Sequence, residues 1–304
     1  FAKATEPPVT AVRFSPDGQQ LVCVSQAGLR IVDWDNLGIT KSIQLSFANP
    51  HCIAFSPSGN RLAVGGGNPS EYGCITIYEW PDLAQLAEFD DFEDSVTSIT
   101  WDGDSNLFAS SLDRTVKHLG TLPEEDSSKS SDSYSLVELA RFEGHSRAVI
   151  GTCLLRDKNA LVTAGYDQSV RVWSVESGKL LRSLSQHTKP IQSIALKRNV
   201  DGLPYLATAA EDRTIRFWQP TIGRMVRYAR LDSPPLSIAW CGDELLAACT
   251  DGQLHRVDPI NVTVKEKIPA IDGWAYCLDV HPTQPHVAVA GSNGQIKKIS
   301  LDSP

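Results

Sequence analysis

No stretch of this 304-residue chain approaches 18 consecutive apolar residues, so the sequence offers no membrane span and no membrane insertion is expected. Positive charge is also scarce, with 28 basic residues against 36 acidic ones and a net charge of −8. Nucleic acids and anionic lipid surfaces both require clustered Lys and Arg, so neither is an expected partner. There is no initiator methionine and no basic segment followed by an apolar run. The chain opens at Phe1 and reads as a processed product or an excised domain. The seven cysteines are odd in number and have no Cys-x-x-Cys spacing, which argues against a disulfide framework or a zinc ribbon. Several sit in apolar runs, such as Leu21-Val22-Cys23-Val24 and Ala247-Ala248-Cys249. Buried thiols acting as small hydrophobes, in a reducing compartment such as the cytoplasm, are therefore expected.

What the chain does have is a repeat. Three short runs rich in β-branched and aromatic residues recur in fixed order. The first is Val9–Phe14, matched by Val96–Trp101, Ile191–Leu196, Leu236–Trp240 and Tyr276–Val280. The second is small and apolar on both faces: Gln20–Val24, Arg61–Gly65, Asn106–Ser110, Ala160–Ala164, Tyr205–Ala209, Glu244–Ala248 and His286–Ala290. The third ends in an anchor: Val32, Tyr78, Leu119, Trp173, Trp218, Val257 or Ile299. Successive anchors lie 46, 41, 54, 45, 39 and 42 residues apart, the length of a four-stranded propeller blade apart from the 54. Ser15-Pro16-Asp17-Gly18 and Ser56-Pro57-Ser58-Gly59 place Pro and Gly where tight turns need them.

The expected fold is all-β: one domain over 1–304, a seven-bladed β-propeller of four-stranded antiparallel blades. In blades four and five the residues add a more specific signal. Gly144-His145, Tyr166-Asp167 and Ser169-Val170-Arg171-Val172-Trp173, then Gln186-His187, Glu211-Asp212 and Ile215-Arg216-Phe217-Trp218, resemble the WD-repeat family. The resemblance covers essentially the whole chain and thins elsewhere. Blade three keeps Asp113 but ends in Leu119, blade six keeps Asp251 but ends in Val257, and blade seven has Asn293 and Ile299.

Two segments interrupt the pattern. The polar, Ser-rich and acidic stretch at about 123–135 accounts for the 54-residue spacing and reads as a flexible insertion between the outer strands of blade three. Gly65-Gly66-Gly67-Asn68-Pro69-Ser70 has neither a lysine nor a following helix. It is expected to be a flexible loop in blade two and not a phosphate cradle.

Thr163, His145 and Asp167 pair a hydroxyl with an imidazole and a carboxylate, as do Thr208, His187 and Asp212. Such a set can be catalytic. The family resemblance implies instead a buried network that also satisfies the Trp173 and Trp218 indoles. The remaining histidines, His51, His118, His255, His281 and His286, show no metal-ligand spacing. No catalytic residue, cofactor or metal is therefore expected, and the chain does not read as an enzyme. The expected function is a protein-interaction scaffold, freestanding or one module of a larger protein. The alternative is a catalytic or small-ligand propeller that uses its channel.

The resemblance implies that a partner peptide or protein segment binds on the face around the channel mouth. Aligning the blades there, Trp274, Tyr276, His51, Tyr72, Tyr166 and Glu211 are the candidate partner-binding residues. Trp274 has two readings, an exposed anchor or a buried cap on a blade interface. The acidic run Asp90-Asp91-Phe92-Glu93-Asp94 suggests a basic partner.

After Ile299 too few residues remain to make a fourth strand for blade seven. Phe1-Ala2-Lys3-Ala4-Thr5 is similar to the outer-strand runs Leu139–Glu143 and Leu181–Ser185, and is expected to supply it. Deleting residues 1–5 should lower the melting temperature clearly by opening the ring. An unchanged melting temperature refutes the closure.

Overall fold

The computed structural model describes residues 6–123, 134–197 and 205–301. Among these, the chain forms strands and three short 3-10 turns, with no helix long and apolar enough to cross a membrane. Six antiparallel sheets have four strands in chain order, over 9–43, 49–92, 96–142, 149–184, 191–230 and 235–269. The seventh has three described strands, over 275–300. First strands of successive sheets touch one another, and the first strand of sheet seven touches that of sheet one. The seven sheets are thus the blades of a closed propeller with the first strands at its hub.

The second strands explain why the blades stack. Leu206–Ala210 and Ala160–Gly165 are buried at every position, and Gln20–Ser25, Asn106–Ser111, Glu244–Cys249 and His286–Gly291 at all but the first. Side chains alternate across a strand, so a strand buried on both faces must serve two neighbours. Leu21 and Cys23 enter the core shared with blade seven, while Val22 and Val24 enter the core shared with blade two. Leu245 and Ala247 face blade five, whereas Leu246 and Ala248 face blade seven. Seven such cores result, one in each gap between adjacent blades. Each fully buried Val or Leu in them contributes about 1.5–3 kcal/mol relative to exposure. Outer strands are the opposite case, and Ile39–Ile43 and Leu180–Leu184 are mostly exposed.

The anchors end the third strands as the spacing requires. Each pairs with a leucine of the second strand: Leu21 with Val32, Leu107 with Leu119, Leu161 with Trp173, Leu206 with Trp218 and Leu245 with Val257. Leu62 meets Tyr78 in the same way, and in blade seven Val287 meets Ile299. All seven anchors are buried.

One expectation fails. The glycine-rich segment of blade two is not a loop, because Gly65–Asn68 continue the second strand and pair with 72–75 of the third. Only Pro69–Glu71 form the turn. Glycine permits this for steric reasons, since a Cβ on Gly66 would strike the Asn49 carbonyl and Pro50. Gly67 has φ +148°, which side chains rarely adopt.

Two other expectations fall on the edge of the described structure. Phe1–Thr5, assigned to blade seven, lie outside the described residues. Next to them, Glu6 lies against Gly294 in the turn before the last described strand and accepts a hydrogen bond from Arg30 at 2.7 Å. Residues 124–133 of the expected insertion also lie outside. Pro123 and Tyr134, which flank them, pair across the third and outer strands of blade three.

Candidate functional site

The first strand of every blade carries a β-bulge at the same place. Pairing with the second strand shifts between Val9 and Ala11, Pro50 and Cys52, Val149 and Gly151, Ile191 and Ser193, Pro235 and Ser237, and Ala275 and Cys277. Blade three shifts opposite Val96. The extra residues are Thr10, His51, Thr97, Ile150, Gln192, Leu236 and Tyr276. Bulges re-aim side chains. These seven are all half-buried and lie at the same end of their strands, so they ring one mouth of the hub.

Thr10 and Thr97 use their hydroxyls to tie neighbouring blades, donating to the Pro50 and Val149 carbonyls at 2.6 Å. Gln192 donates to the Glu211 carboxylate at 2.7 Å. Tyr276 packs edge-on against Trp274 with ring centroids 5.9 Å apart. Trp274 itself is 51% exposed, which decides its two readings in favour of the surface. Its backbone is nevertheless fixed, because its N–H donates to the Ser292 hydroxyl and its carbonyl accepts from the Ser292 N–H, both at 3.0 Å. An exposed indole on a rigid backbone loses little conformational freedom on contact.

The other predicted residues divide. Tyr166 is half-buried and Glu211 exposed. Burial, then the Glu211 charge, raises the Tyr166 phenol above its ordinary value, so the two belong to one patch across blades four and five. His51 and Tyr72 stand apart from it in blade two. His51 is held below its ordinary value by burial, against the pull of Asp94, and its Nε2 is buried without a partner among the described residues. Tyr72 starts the extended third strand and packs on the core between blades one and two. The structure thus brings together Trp274 with Tyr276, and Tyr166 with Glu211, but not all six in one patch. The acidic run is partly used internally. Asp91 pairs with the buried Lys117 at 3.0 Å, and Asp94 accepts from the Ser70 N–H at 2.9 Å. Asp90 and Glu93 remain exposed.

Blades four and five contain the two polar networks. In blade four the Trp173 indole N–H donates to the Thr163 hydroxyl at 2.9 Å, leaving that hydroxyl to donate to His145 Nε2 at 2.7 Å. His145 Nδ1 then carries the proton and donates to Asp167 at 2.9 Å. Asp167 also accepts from the Ser169 hydroxyl at 2.7 Å and from the Ser146 and Ser169 N–H groups. Blade five repeats this with Trp218, Thr208, His187 and Asp212, at 2.8, 2.8 and 3.0 Å. Both hydroxyls are fully buried. With every group consumed and no access, neither set is a nucleophilic triad, and each pins a third strand to the loop before its blade.

These observations, six four-stranded blades closed into a ring by a seventh with three described strands, and two complete Trp–Thr–His–Asp chains, meet a matching sequence comparison. The family model described as "WD domain, G-beta repeat" matches residues 3–33, 84–118, 136–174 and 178–219. The chain belongs to the WD40 family. Among curated proteins, this WD40 chain is similar to COMPASS component SWD3 of Saccharomyces cerevisiae, with 25% identity over 58% of this chain and 51% of that protein. It is similar to the pre-rRNA-processing protein crb3/ipi3 of Schizosaccharomyces pombe, at 26% over 46% of this chain and 32% of that protein. Telomerase Cajal body protein 1 of Mus musculus is 33% identical over 32% of this chain and 19% of its own length. The chain therefore spans about half or less of these relatives.

The family networks depart in blade six, where Leu231, Ala247 and Val257 occupy the positions of His187, Thr208 and Trp218. Asp251 keeps the aspartate position. It accepts from the Gln253 N–H at 3.0 Å and meets His255 Nε2 at 3.3 Å. His255, which has no metal-ligand partner by spacing alone, comes close to both Asp251 and Cys249. All three lie in one hairpin, whose register sets His255 opposite Ala247.

Hydrogen bonds and buried charge in the blade-five network set a pH dependence. Burial holds His187 below its ordinary 6.5 despite the opposing pull of Asp212. Burial also pushes Asp212 up, but His187, Thr214 and the Thr188 N–H outweigh it and keep the carboxyl well below the usual range. A histidine kept neutral in the fold contributes stability fully above about pH 6.5, and this drains as pH falls toward its lowered folded value. The aspartate contribution is lost only further down, as pH falls below its ordinary 3.8. Urea midpoints should therefore fall between about pH 7.5 and about pH 5.5. At the upper pH, Asp212→Ala should cost about 1–3 kcal/mol by stranding His187. A flat pH profile with a silent Asp212→Ala contradicts this reading.

Proposed function

We propose that this WD40 propeller is a protein-interaction scaffold that takes a peptide or protein segment on the bulge-bearing mouth, with Trp274 and Tyr276 as its anchors. The observation that carries the reading is the 51% exposed Trp274 on a doubly hydrogen-bonded backbone, packed against the half-buried Tyr276. Large aromatics on rigid backbones are the residue type that dominates binding energy at protein interfaces. The Tyr166–Gln192–Glu211 group offers a second, polar contact zone, and Glu211 with Asp90 and Glu93 favours a basic segment. The SWD3 relative is a component of COMPASS, which supports membership in an assembly.

Nucleic acid is the rival partner, raised by the pre-rRNA-processing relative. The net charge of −8 weighs against it, since phosphate contacts require clustered cations. Catalysis through the channel is the other rival. The charged residues of the described hub strands are spent on ion pairs, Arg13 with Asp279 between blades one and seven and Asp102 with Arg156, both at 3.0 Å.

A pull-down from the source organism, comparing wild type with Trp274→Ala/Tyr276→Ala, tests the assignment. Partners recovered by wild type should drop out with the double variant, and binding of a purified partner should weaken by about 2 kcal/mol or more, roughly 30-fold in Kd. Equal recovery of every partner removes the site.

A further inference from the structure

In blades four and five the aspartate is saturated by a histidine, a hydroxyl and backbone N–H groups. Blade six has lost that histidine and hydroxyl, so Asp251 is released from the family's structural task. Two new side chains gather beside it. Ligand atoms of Cys249, Asp251 and His255 all lie within 4.8 Å of one another. The Cys249 and His255 side chains are fully buried, whereas that of Asp251 is 31% exposed.

The surroundings are short of hydrogen-bond partners. His255 Nδ1 is buried with none among the described residues. Buried polar groups of a finished core are ordinarily paired, and each orphan costs about 1–3 kcal/mol. A group of donors this close, with acceptor capacity left over, suits a cation.

We propose that Cys249, Asp251 and His255 form a binding site for a borderline divalent cation of the zinc or cobalt class, in the gap between blades five and six. A thiolate, an imidazole and a carboxylate form a mixed sulfur, nitrogen and oxygen set, which selects such ions over the all-oxygen cations magnesium and calcium. The thiolate and carboxylate balance the ion's two charges. Lys267, opposite His255 on the outer strand, adds a positive charge, but its ammonium is paired with Asp232. Three protein ligands with Asp251 at the surface leave a fourth position facing solvent, on the same end of the ring as Trp274. A water or a donor from a partner fills it.

Cobalt titration of the chelator-stripped, reduced full chain reads this directly, because a cysteine thiolate on cobalt absorbs in the near ultraviolet. One equivalent should saturate the band, and zinc should displace it. Cys249→Ser should abolish the band, and Asp251→Asn should weaken cobalt binding by about 10-fold or more, the loss typical even of an outer-shell partner. Absence of the band in wild type overturns the proposal, as does its persistence in Cys249→Ser, which would put cobalt on another cysteine. Should Cys249→Ser fail to fold by circular dichroism, the surface variant Asp251→Asn decides, and unchanged affinity there also overturns the site.

Discussion

Each second strand in this protein is apolar on both faces and cannot be satisfied by its own blade. An isolated blade would leave one or both faces of Leu161-Val162-Thr163-Ala164 or Leu206-Ala207-Thr208-Ala209 in water. Only two flanking blades bury them, and those blades have the same need in turn. Stacking therefore propagates until the last blade meets the first, where Ala288 and Ala290 share a core with Leu21 and Cys23. The small side chains on these strands set how closely the sheets approach. Burial rather than polar pairing supplies the drive.

This closed ring turns a local irregularity into a surface. One bulge in one strand is a detail, whereas seven at the same register of a rigid ring place seven side chains around one mouth. The ring packing does not depend on what those side chains are. They vary from threonines that tie blades together to the Tyr276 that meets an exposed tryptophan. The polar networks of blades four and five belong to the same division of labour. They lock loops to third strands with fully consumed groups, and in blade six their loss frees an aspartate for other chemistry.

The fold was legible in the sequence because its determinants are local and repeated: a two-faced apolar run, an anchor about ten residues on, and turns at fixed offsets. Leu119, Val257 and Ile299 could replace tryptophan at the anchor because the position demands burial against Leu107, Leu245 or Val287 and nothing more. The site was less legible. Alignment of the blades picked out His51 and Tyr276, two of the residues the structure places in bulges, but whether Trp274 is buried or exposed could not be read from it. The glycine run of blade two misled because glycine reads as a loop. Here it allows the second strand to run on beneath Asn49 and Pro50, where a side chain would collide. The Cys249–Asp251–His255 group lies within one hairpin, but its spacing matches no Cys-x-x-Cys pattern, and the hairpin register is what shows that the three face one another.

Native-state hydrogen exchange tests the interdependence of the blades most directly. The account predicts that amides of the second strands in all seven blades, including 286–291 beside the closure, exchange in one slowest unit at the free energy of global unfolding. The exposed outer strands 39–43 and 180–184 should open well before it. Blades that exchange independently, each at its own lower free energy, would contradict the claim that shared two-faced strands hold the ring together.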